Sequence, residues 1–214
     1  MKPSSDLIDA TSCKVVSLSY DDPQIKLDLA VAVMQEFAKA GLQVQYLDFD
    51  MQLSSMLENL SKTDRERFSS LEVFPQLTDE ISDIFLPIES CREGGVIAID
   101  TINTLQNLLL VGDLKDSAAA NHRTAIIISL LEEAAKNFSK TLLMLNLTRS
   151  RPRKTSEAVQ WDRDIVGGRM ARFKSDIILY ARESNKSPNR MLLVEVMSPD
   201  RNVGEIYEVQ TVLL

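Results

Sequence analysis

The sequence predicts an α/β protein built around one mixed β-sheet, and three observations support this fold class. Strand and helix signals alternate along the first two thirds of the chain. Residues 94 to 100 (GGVIAID) form a continuously apolar run, as strands do when helices cover both faces of a parallel sheet. In the last third, strand signals follow one another without a helix between them, which is typical of antiparallel strands.

The parallel part of the sheet is predicted to begin with a short, β-branched strand at residues 14 to 19 and a helix at residues 25 to 40. Four apolar residues share one face of this helix by their spacing: Leu27, Val31, Met34 and Ala38. Gly41 follows, where the end of a helix favours a left-handed residue. The next predicted elements are a strand at 44 to 49, a helix at 51 to 60, the apolar strand at 94 to 100, a helix at 121 to 138 and a strand at 141 to 147.

The long helix and the closing strands complete the predicted domain. The helix residues that are spaced for burial are Ile126, Ile127, Leu130, Leu131 and Ala134. Antiparallel strands are predicted at residues 175 to 181, 190 to 197 and 205 to 212. Residues 61 to 80, the one candidate for a domain boundary, are too few to separate two cores. We therefore expect residues 1 to 214 to form a single domain, parallel in the centre of its sheet, antiparallel at its C-terminal edge and flanked by helices.

Composition excludes several classes of protein. A chain of 214 residues with 44% hydrophobic and 26% charged residues can bury a substantial core without disulfides. It has only two cysteines, Cys13 and Cys91, and it opens without an arginine-rich or apolar leader, so we expect a reduced, cytoplasmic protein. No apolar run approaches the roughly 20 residues of a membrane-spanning helix. The net charge of -7 argues against a surface that attracts nucleic acid everywhere.

The order of several motifs resembles the core of the RecA/RadA recombinase family. GGVIAIDTINTLQNLL is similar to the family's second nucleotide motif, an apolar strand that ends in an acidic residue. LMLNLTRSRP, then DIVGGRMARFKSDIILYARES, then NRMLLVEVMSPDRNVGEIYEV resemble the C-terminal half of that core, with its DNA-binding loop, paired glycines and closing strands. The resemblance runs from about Lys14 to Val212 and implies a RecA-like core. Because there is no room for the helical domain that precedes the core in archaeal RadA proteins, it implies a core-only paralogue.

The segment SLSYDDPQIKLDLA, residues 17 to 30, stands where the family has its phosphate-binding loop, yet it contains no glycine. Such a loop needs glycines to point backbone N–H groups at the phosphates and a lysine to reach the outer phosphates. Here Pro23 lacks an N–H, and Asp21 and Asp22 would each repel a phosphate by roughly 4 kcal/mol at about 4 Å for an effective dielectric constant near 20. Lys26 is the one remaining cation, and a solvated lysine in the first helical turn is the alternative interpretation.

The resemblance also assigns roles to three other positions, and each has a structural alternative. The family's general base would correspond to Asp48 or Asp50, either of which could instead cap the helix that follows. Its magnesium-organising acid would correspond to Asp100, which could instead cap the helix that begins near Thr101. Its phosphate-sensing Asn-Gln pair is replaced by Asn146 and Leu147. We therefore interpret Lys26, Asp50, Asp100 and Asn146 as a vestigial nucleotide site and expect no ATPase activity, no cofactor and no bound metal.

A basic segment corresponds to the family's DNA-binding loop. Residues 149 to 174 contain eight basic and three acidic side chains, a net +5, which leaves -12 for the rest of the chain. The candidate DNA-binding residues are Arg149, Arg151, Arg153, Lys154, Trp161, Arg163, Arg169 and Arg172. Cations beside the chain's single tryptophan suit single-stranded DNA, because the cations follow the phosphates and the aromatic ring stacks on a base. The alternatives are that this segment contacts a protein or is simply a solvated, irregular loop.

These features lead to one hypothesis and two alternatives. We expect a non-catalytic RecA/RadA-like paralogue that assists homologous recombination or DNA repair. It would bind single-stranded DNA, a recombinase or a sister RecA-like paralogue, and would form a homo- or hetero-oligomer. The first alternative is a scaffold or regulatory subunit on the same fold, of the Elongator type or KaiC-like, that does not bind DNA. The second is a working ATPase with an unusual phosphate loop.

Overall fold

A computed structural model describes residues 2–22, 25–66, 68, 71–75, 95–111, 116–154, 159–165, 173–184, 191–198 and 203–210. The helices in this part of the chain are α1 (Ser4–Thr11), α2 (Lys26–Lys39), α3 (Gln52–Asn59), α4 (Lys62–Glu66), α5 (Ile102–Val111) and α6 (Ser117–Asn137). The strands are β1 (Lys2–Pro3), β2 (Val15–Tyr20), β3 (Val44–Asp48), β4 (Leu71–Pro75), β5 (Val96–Asp100), β6 (Thr141–Lys154), β7 (Val159–Ile165), β8 (Ile177–Glu183), β9 (Met191–Ser198) and β10 (Ile206–Gln210).

The strands form one mixed sheet in the order β1-β10-β9-β8-β2-β6-β5-β3-β4, and β7 pairs with β6 beside this path. The six neighbouring strands from β8 to β4 run parallel to one another. The pairs β8–β9 and β9–β10 are antiparallel, and the short β1 joins β10 in parallel. The predicted fold class, with a parallel centre, antiparallel C-terminal strands and flanking helices, is therefore confirmed.

Apolar side chains cover both faces of the sheet. One cluster packs α1 and α2 against alternate residues of the central strands, such as Val16, Leu18, Tyr46 and Ala98. The other cluster packs α5 and α6 against the intervening residues, such as Val15, Ile97 and Met144. Because successive side chains of a strand point to opposite faces, these two sets explain why the central strands are apolar without interruption.

Helix α2 is buried more completely than its spacing predicts. Beside the predicted Val31 and Met34, it buries Leu29, Ala30, Ala32, Val33 and Phe37, whereas the predicted Leu27 and Ala38 are only half-buried. A helix with apolar residues all round is typical of one covered on several sides. Gly41 follows α2 with a φ of 78°, as predicted for the end of a helix.

The predicted burial of α6 is wrong at two positions. Ile126 and Leu130 are 45% and 43% exposed. The buried stripe instead consists of Ala120, Thr124, Ile127, Ile128, Leu131 and Ala135. These positions recur at intervals of three and four residues and therefore share one side of the helix, while Ile126 and Leu130 lie beside that stripe.

None of the helices that the structure describes combines the length and the apolar composition needed to span a lipid bilayer.

Candidate functional site

The carboxyl ends of three parallel strands meet at one edge of the sheet, where open α/β sheets commonly bind ligands. β2 ends at Tyr20, β3 at Asp48 and β5 at Asp100. Asp48 and Asp100 lie directly opposite each other in the register of β3 and β5. The N-terminus of α2 reaches the same edge, because its first residue, Lys26, contacts Asp100. Three of the four residues predicted for a vestigial nucleotide site lie together there.

Lys26, Asp50 and Asp100 form an ion cluster at this edge, here called the buried ion cluster because Lys26 and Asp100 are buried while Asp50 is only partly exposed. Lys26 is only 3% exposed, and its Nζ pairs with Oδ2 of Asp50 and lies 3.0 Å from Oδ2 of Asp100. The alternative of a solvated lysine in the first helical turn is therefore wrong. The charge of this lysine is neutralised inside the protein by two carboxylates.

Asp100 also interacts with a tyrosine of the neighbouring strand. Tyr46 donates a hydrogen bond of 2.5 Å from its hydroxyl group to Oδ2 of Asp100, while Oδ1 has no hydrogen-bond partner among the described residues. Burial raises the pKa of Asp100 to about 6, although the charge of Lys26 and the hydrogen bond from Tyr46 lower it. Burial and the charge of Asp100 in turn raise the pKa of both Tyr20 and Tyr46.

The N-terminus of α5 is capped by a different residue from the one that the sequence suggests. Asp100 does not cap α5, because its side chain bonds to Lys26 and Tyr46. Thr101, which follows Asp100 through a cis peptide bond, caps the helix instead: its Oγ1 accepts a hydrogen bond of 3.2 Å from the N–H of Thr104. A threonine in front of a helix is a usual N-cap, so this role could have been found from the sequence.

The two acidic residues at the end of β3 have separate roles. Asp48 is buried, and its Oδ2 accepts hydrogen bonds from the N–H and the hydroxyl of Ser54, at 2.7 and 2.8 Å, in the first turn of α3. It thereby satisfies an N–H group that the helix itself leaves unpaired. Asp50 pairs with Lys26. The structural alternative of helix capping therefore holds for Asp48, whereas Asp50 forms an ion pair that the sequence alone does not predict.

Asn146 lies on the other face of the sheet. Its Nδ2 donates hydrogen bonds of 2.9 Å to Oγ of Ser17 and to the carbonyl oxygen of Met144. Met144 packs with α5 and α6, and a residue two positions further along a strand shares its face. Asn146 is therefore not brought to the buried ion cluster.

Asp21 and Thr148 meet beside the end of β2. The carboxylate of Asp21 accepts a hydrogen bond from the hydroxyl of Thr148 on β6 and another of 2.5 Å from the hydroxyl of Tyr180 on β8. The sequence places Asp21 in the degenerate phosphate loop, but nothing in it links this residue to Thr148 or Tyr180. These contacts depend on the order of the strands, in which β2 lies between β6 and β8.

The basic segment begins as a β-hairpin, so the alternative of an irregular loop is wrong for its first part. Residues 148 to 154 of β6 pair with β7 in antiparallel register, and the structure describes the backbone of both arms. Arg149 lies opposite Asp164, Arg151 opposite Asp162 and Arg153 opposite Gln160. Lys154, Trp161 and Arg163 also lie within this hairpin. Arg169 and Arg172 lie outside the described residues.

The alternation of a strand divides the hairpin into two sets of positions. One set contains Arg149, Arg151 and Arg153 with their opposite residues, two of which are acidic. The other set pairs Lys154 with Val159, Pro152 with Trp161 and Ser150 with Arg163, and it contains no acidic residue. The second set therefore combines cations and an aromatic residue without an opposing carboxylate in the register.

No cluster of three or more His, Cys, Asp or Glu side chains that could hold a metal ion is present in the part of the chain that the structure describes. No protein-family model matches the sequence, and no curated protein sequence is significantly similar to it.

The fold itself is similar to solved structures. The crystal structure of the RadB recombinase superposes on this chain with a TM-score of 0.62 and 14% sequence identity, covering 97% of this chain and 92% of the RadB chain. At this identity the similarity concerns the fold, and it agrees with the mixed sheet and flanking helices described above. The chain therefore has a RecA-like fold that spans nearly its whole length.

Proposed function

We propose that this protein is a non-catalytic accessory factor in homologous recombination or DNA repair, which binds single-stranded DNA and associates with a recombinase or a related RecA-like subunit. The buried ion cluster is the observation that carries this proposal. A phosphate-loop lysine must present its ammonium group to the outer phosphates of a nucleotide. In this chain the ammonium group of Lys26 already pairs with Asp50 and Asp100.

Turning Lys26 toward a nucleotide would have an energetic cost. Asp100 is fully buried, and without the lysine its carboxylate would lose its only cationic partner among the described residues. Breaking a buried ion pair by removing one partner typically costs about 3–5 kcal/mol. The carboxylates that neutralise Lys26 would also repel phosphates. These effects support a role that does not use ATP.

The basic hairpin supports DNA as the ligand. Four of the six residues from 149 to 154 are cationic, and Trp161 lies on the opposite arm. Proteins that bind single strands combine cations along the phosphates with aromatic rings that stack on bases, each stacked base contributing about 1–3 kcal/mol. The likeness of the fold to a recombinase is compatible with this role.

The first prediction concerns the salt dependence of DNA binding. Fluorescence anisotropy with a labelled single-stranded oligonucleotide, without nucleotide, should detect binding that weakens as salt increases. Replacing Arg151, Arg153 and Lys154 together by alanine should make the slope of log K against log salt shallower by about 0.7 for each phosphate that the variant no longer neutralises. Trp161→Ala should weaken binding by about 1–3 kcal/mol with little change in slope, because stacking releases no counterions.

The matched control is Lys39→Ala, which removes an exposed cation at the other end of α2 and should bind DNA as the wild type does. If the wild type does not bind single- or double-stranded DNA at low salt, or if the hairpin variants bind like the wild type, this proposal is wrong.

A scaffold or regulatory subunit that does not bind DNA is the second candidate, and exposed apolar side chains favour it. Val111 at the end of α5 is 86% exposed, and Ile126 and Leu130 are exposed on α6. Such side chains are suited to contact another protein. A negative result in the DNA experiment would make this candidate the better one.

A further inference from the structure

We infer that Asp21 is a positioning residue for the hairpin in which residues 148 to 154 of β6 pair with β7: its carboxylate fixes the base of this hairpin to the central sheet. The inference rests on the proposed function in one respect, that the hairpin is the element that binds DNA. The inference gives Asp21 an indirect role: this residue does not contact DNA but determines how firmly the hairpin is attached to the sheet.

Asp21 is placed to bridge three neighbouring strands. It directly follows Tyr20, the last residue of β2, and β2 lies between β6 and β8. On one side its Oδ1 accepts a hydrogen bond from Thr148, and on the other its Oδ2 accepts one of 2.5 Å from Tyr180. Hydrogen bonds from hydroxyl groups to carboxylates are among the shorter and stronger ones in proteins.

Thr148 marks the point at which β6 passes from the central sheet into the hairpin. β6 pairs with β2 up to Leu147, which lies opposite Tyr20. Thr148 lies opposite Ile165 in the first pair of the hairpin, and Arg149 comes next. The hydroxyl group that Asp21 binds therefore belongs to the residue at which β6 leaves its pairing with β2 and enters the hairpin.

A second contact holds the same junction from the side of α5. The N–H of Leu147 donates a hydrogen bond of 3.2 Å to Oδ1 of Asn103. The junction is thus held by one side chain from the loop after β2 and by another from the helix after β5. Both belong to the edge of the sheet that carries the buried ion cluster.

The physical consequence concerns the order of the hairpin. A two-stranded antiparallel hairpin is only marginally stable in water by itself, so its attachment determines how well it is ordered. If the junction loosens, binding DNA must also order the hairpin, and this ordering lowers the affinity. Because the side chain of Asp21 makes these contacts, the attachment of the hairpin does not depend on a bound nucleotide.

The test compares Asp21→Ala with Asp22→Ala. Both variants remove one negative charge from the same exposed loop, and charge alone would make both bind DNA slightly more tightly. The inference predicts that only Asp21→Ala binds the oligonucleotide more weakly, by about tenfold. It also predicts that hydrogen exchange of the amides of residues 149 to 154, measured without DNA, becomes about ten- to a hundredfold faster, as expected when a hydrogen bond to a charged group is removed.

A second pair of variants tests the same contact from the other side. Thr148→Val keeps the shape of this buried side chain but removes its hydroxyl group, whereas Thr148→Ser keeps the hydroxyl group. Exchange in the hairpin should accelerate in Thr148→Val and stay close to the wild type in Thr148→Ser. Unchanged exchange in both Asp21→Ala and Thr148→Val would overturn the inference.

The two proposals fail separately. If the wild type binds no DNA, the proposed function is wrong, while the exchange experiment still decides whether Asp21 positions the hairpin. If Asp21→Ala weakens DNA binding but leaves exchange unchanged, DNA binding stands and the positioning role is wrong.

Discussion

Asp100 is a carboxyl group whose burial and polar neighbours shift its pKa in opposite directions. Burial disfavours the charged form and is the largest effect, followed by the charge of Lys26, which favours it. The ammonium group of Lys26 and the hydroxyl group of Tyr46 both approach Oδ2 of Asp100. Oδ1 of Asp100 has no hydrogen-bond partner in the described part of the chain. The carboxylate is therefore compensated on one oxygen only, which explains why its pKa rises to about 6 despite the ion pair.

This pKa predicts a specific pH dependence of stability. Because the folded state holds the proton of Asp100 more tightly than the unfolded chain, this group stabilises the fold most at low pH and progressively less as the pH rises through about 6. The free energy of unfolding of the wild type, relative to Asp100→Asn, should fall by about 2 kcal/mol between about pH 4 and pH 7. Urea unfolding of both proteins at a series of pH values measures this difference.

A third variant makes the test more specific. Tyr46→Phe removes a hydrogen bond that lowers the pKa of Asp100, so the fall in stability should move to higher pH. Parallel pH profiles of the wild type and Asp100→Asn would contradict the prediction.

The sequence indicates the residues of the ion cluster but not their partners. An apolar strand followed by an acidic residue shows where Asp50 and Asp100 stand, since strand ends can be predicted from the pattern. A carboxylate at that point can either cap a helix or pair with a cation, so the pattern does not distinguish the two roles. The distinction depends on Lys26, which reaches both residues from another element, and on Tyr46, which shares a sheet face with Asp100.

Strand β5 begins beside a glycine that the packing of the sheet requires. Gly95 has a φ of 105°, and a Cβ atom there would lie 2.6 Å from the carbonyl oxygen of Gln43. That oxygen accepts a hydrogen bond of 2.9 Å from the N–H of Val96, so it has little freedom to move. Gly204 has a similar φ of 86° but nothing within 4 Å of its Cβ position.

We expect Gly95→Ala to destabilise the protein more than Gly204→Ala. Both substitutions force alanine into a backbone conformation that L-residues rarely adopt, at a cost of about 1–3 kcal/mol. Only Gly95→Ala adds a collision with the backbone, and such overpacking typically costs a further 1–3 kcal/mol or so. Urea unfolding of the two variants measures the difference, and equal losses of stability would show that the contact with Gln43 is unimportant.

Most elements of the sheet are predictable from the sequence, and several of the exceptions have physical explanations; β1, α1 and α4 are also not predicted. The buried central strands and α2 have strong apolar patterns. The hairpin is not predicted because residues 149 to 154 (RSRPRK) lack the alternation of apolar and polar residues that indicates a strand. β4 is not predicted because it lies at the edge of the sheet, within the segment considered as a domain boundary. For α6 the position is predicted, but two neighbouring stripes of apolar residues are available and the spacing does not select one.

At the edge of the sheet where the parallel strands end, charged side chains are paired with other side chains of the same protein. Lys26 pairs with two carboxylates, and Asp21 accepts hydrogen bonds from Thr148 and Tyr180. In a nucleotide-binding protein, part of this charge would be satisfied by phosphates and magnesium, so that ligand binding adds stability. Here the same edge is held together internally, and we expect the stability of the whole domain to be independent of nucleotide.

Thermal unfolding with and without Mg–ATP tests this expectation. A protein that binds ATP with a dissociation constant one hundredth of the ATP concentration gains about 2.7 kcal/mol, which raises the Tm of a domain of this size by about 5–10 °C. Because Lys26 is already paired, the Tm of this protein should stay the same in millimolar Mg–ATP. Magnesium sulfate at matched ionic strength is the control for salt effects. A rise in Tm that occurs with Mg–ATP, is absent with magnesium sulfate and disappears in Lys26→Met would show that the lysine leaves its carboxylate partners to bind nucleotide. The proposal that the nucleotide site is vestigial would then be wrong.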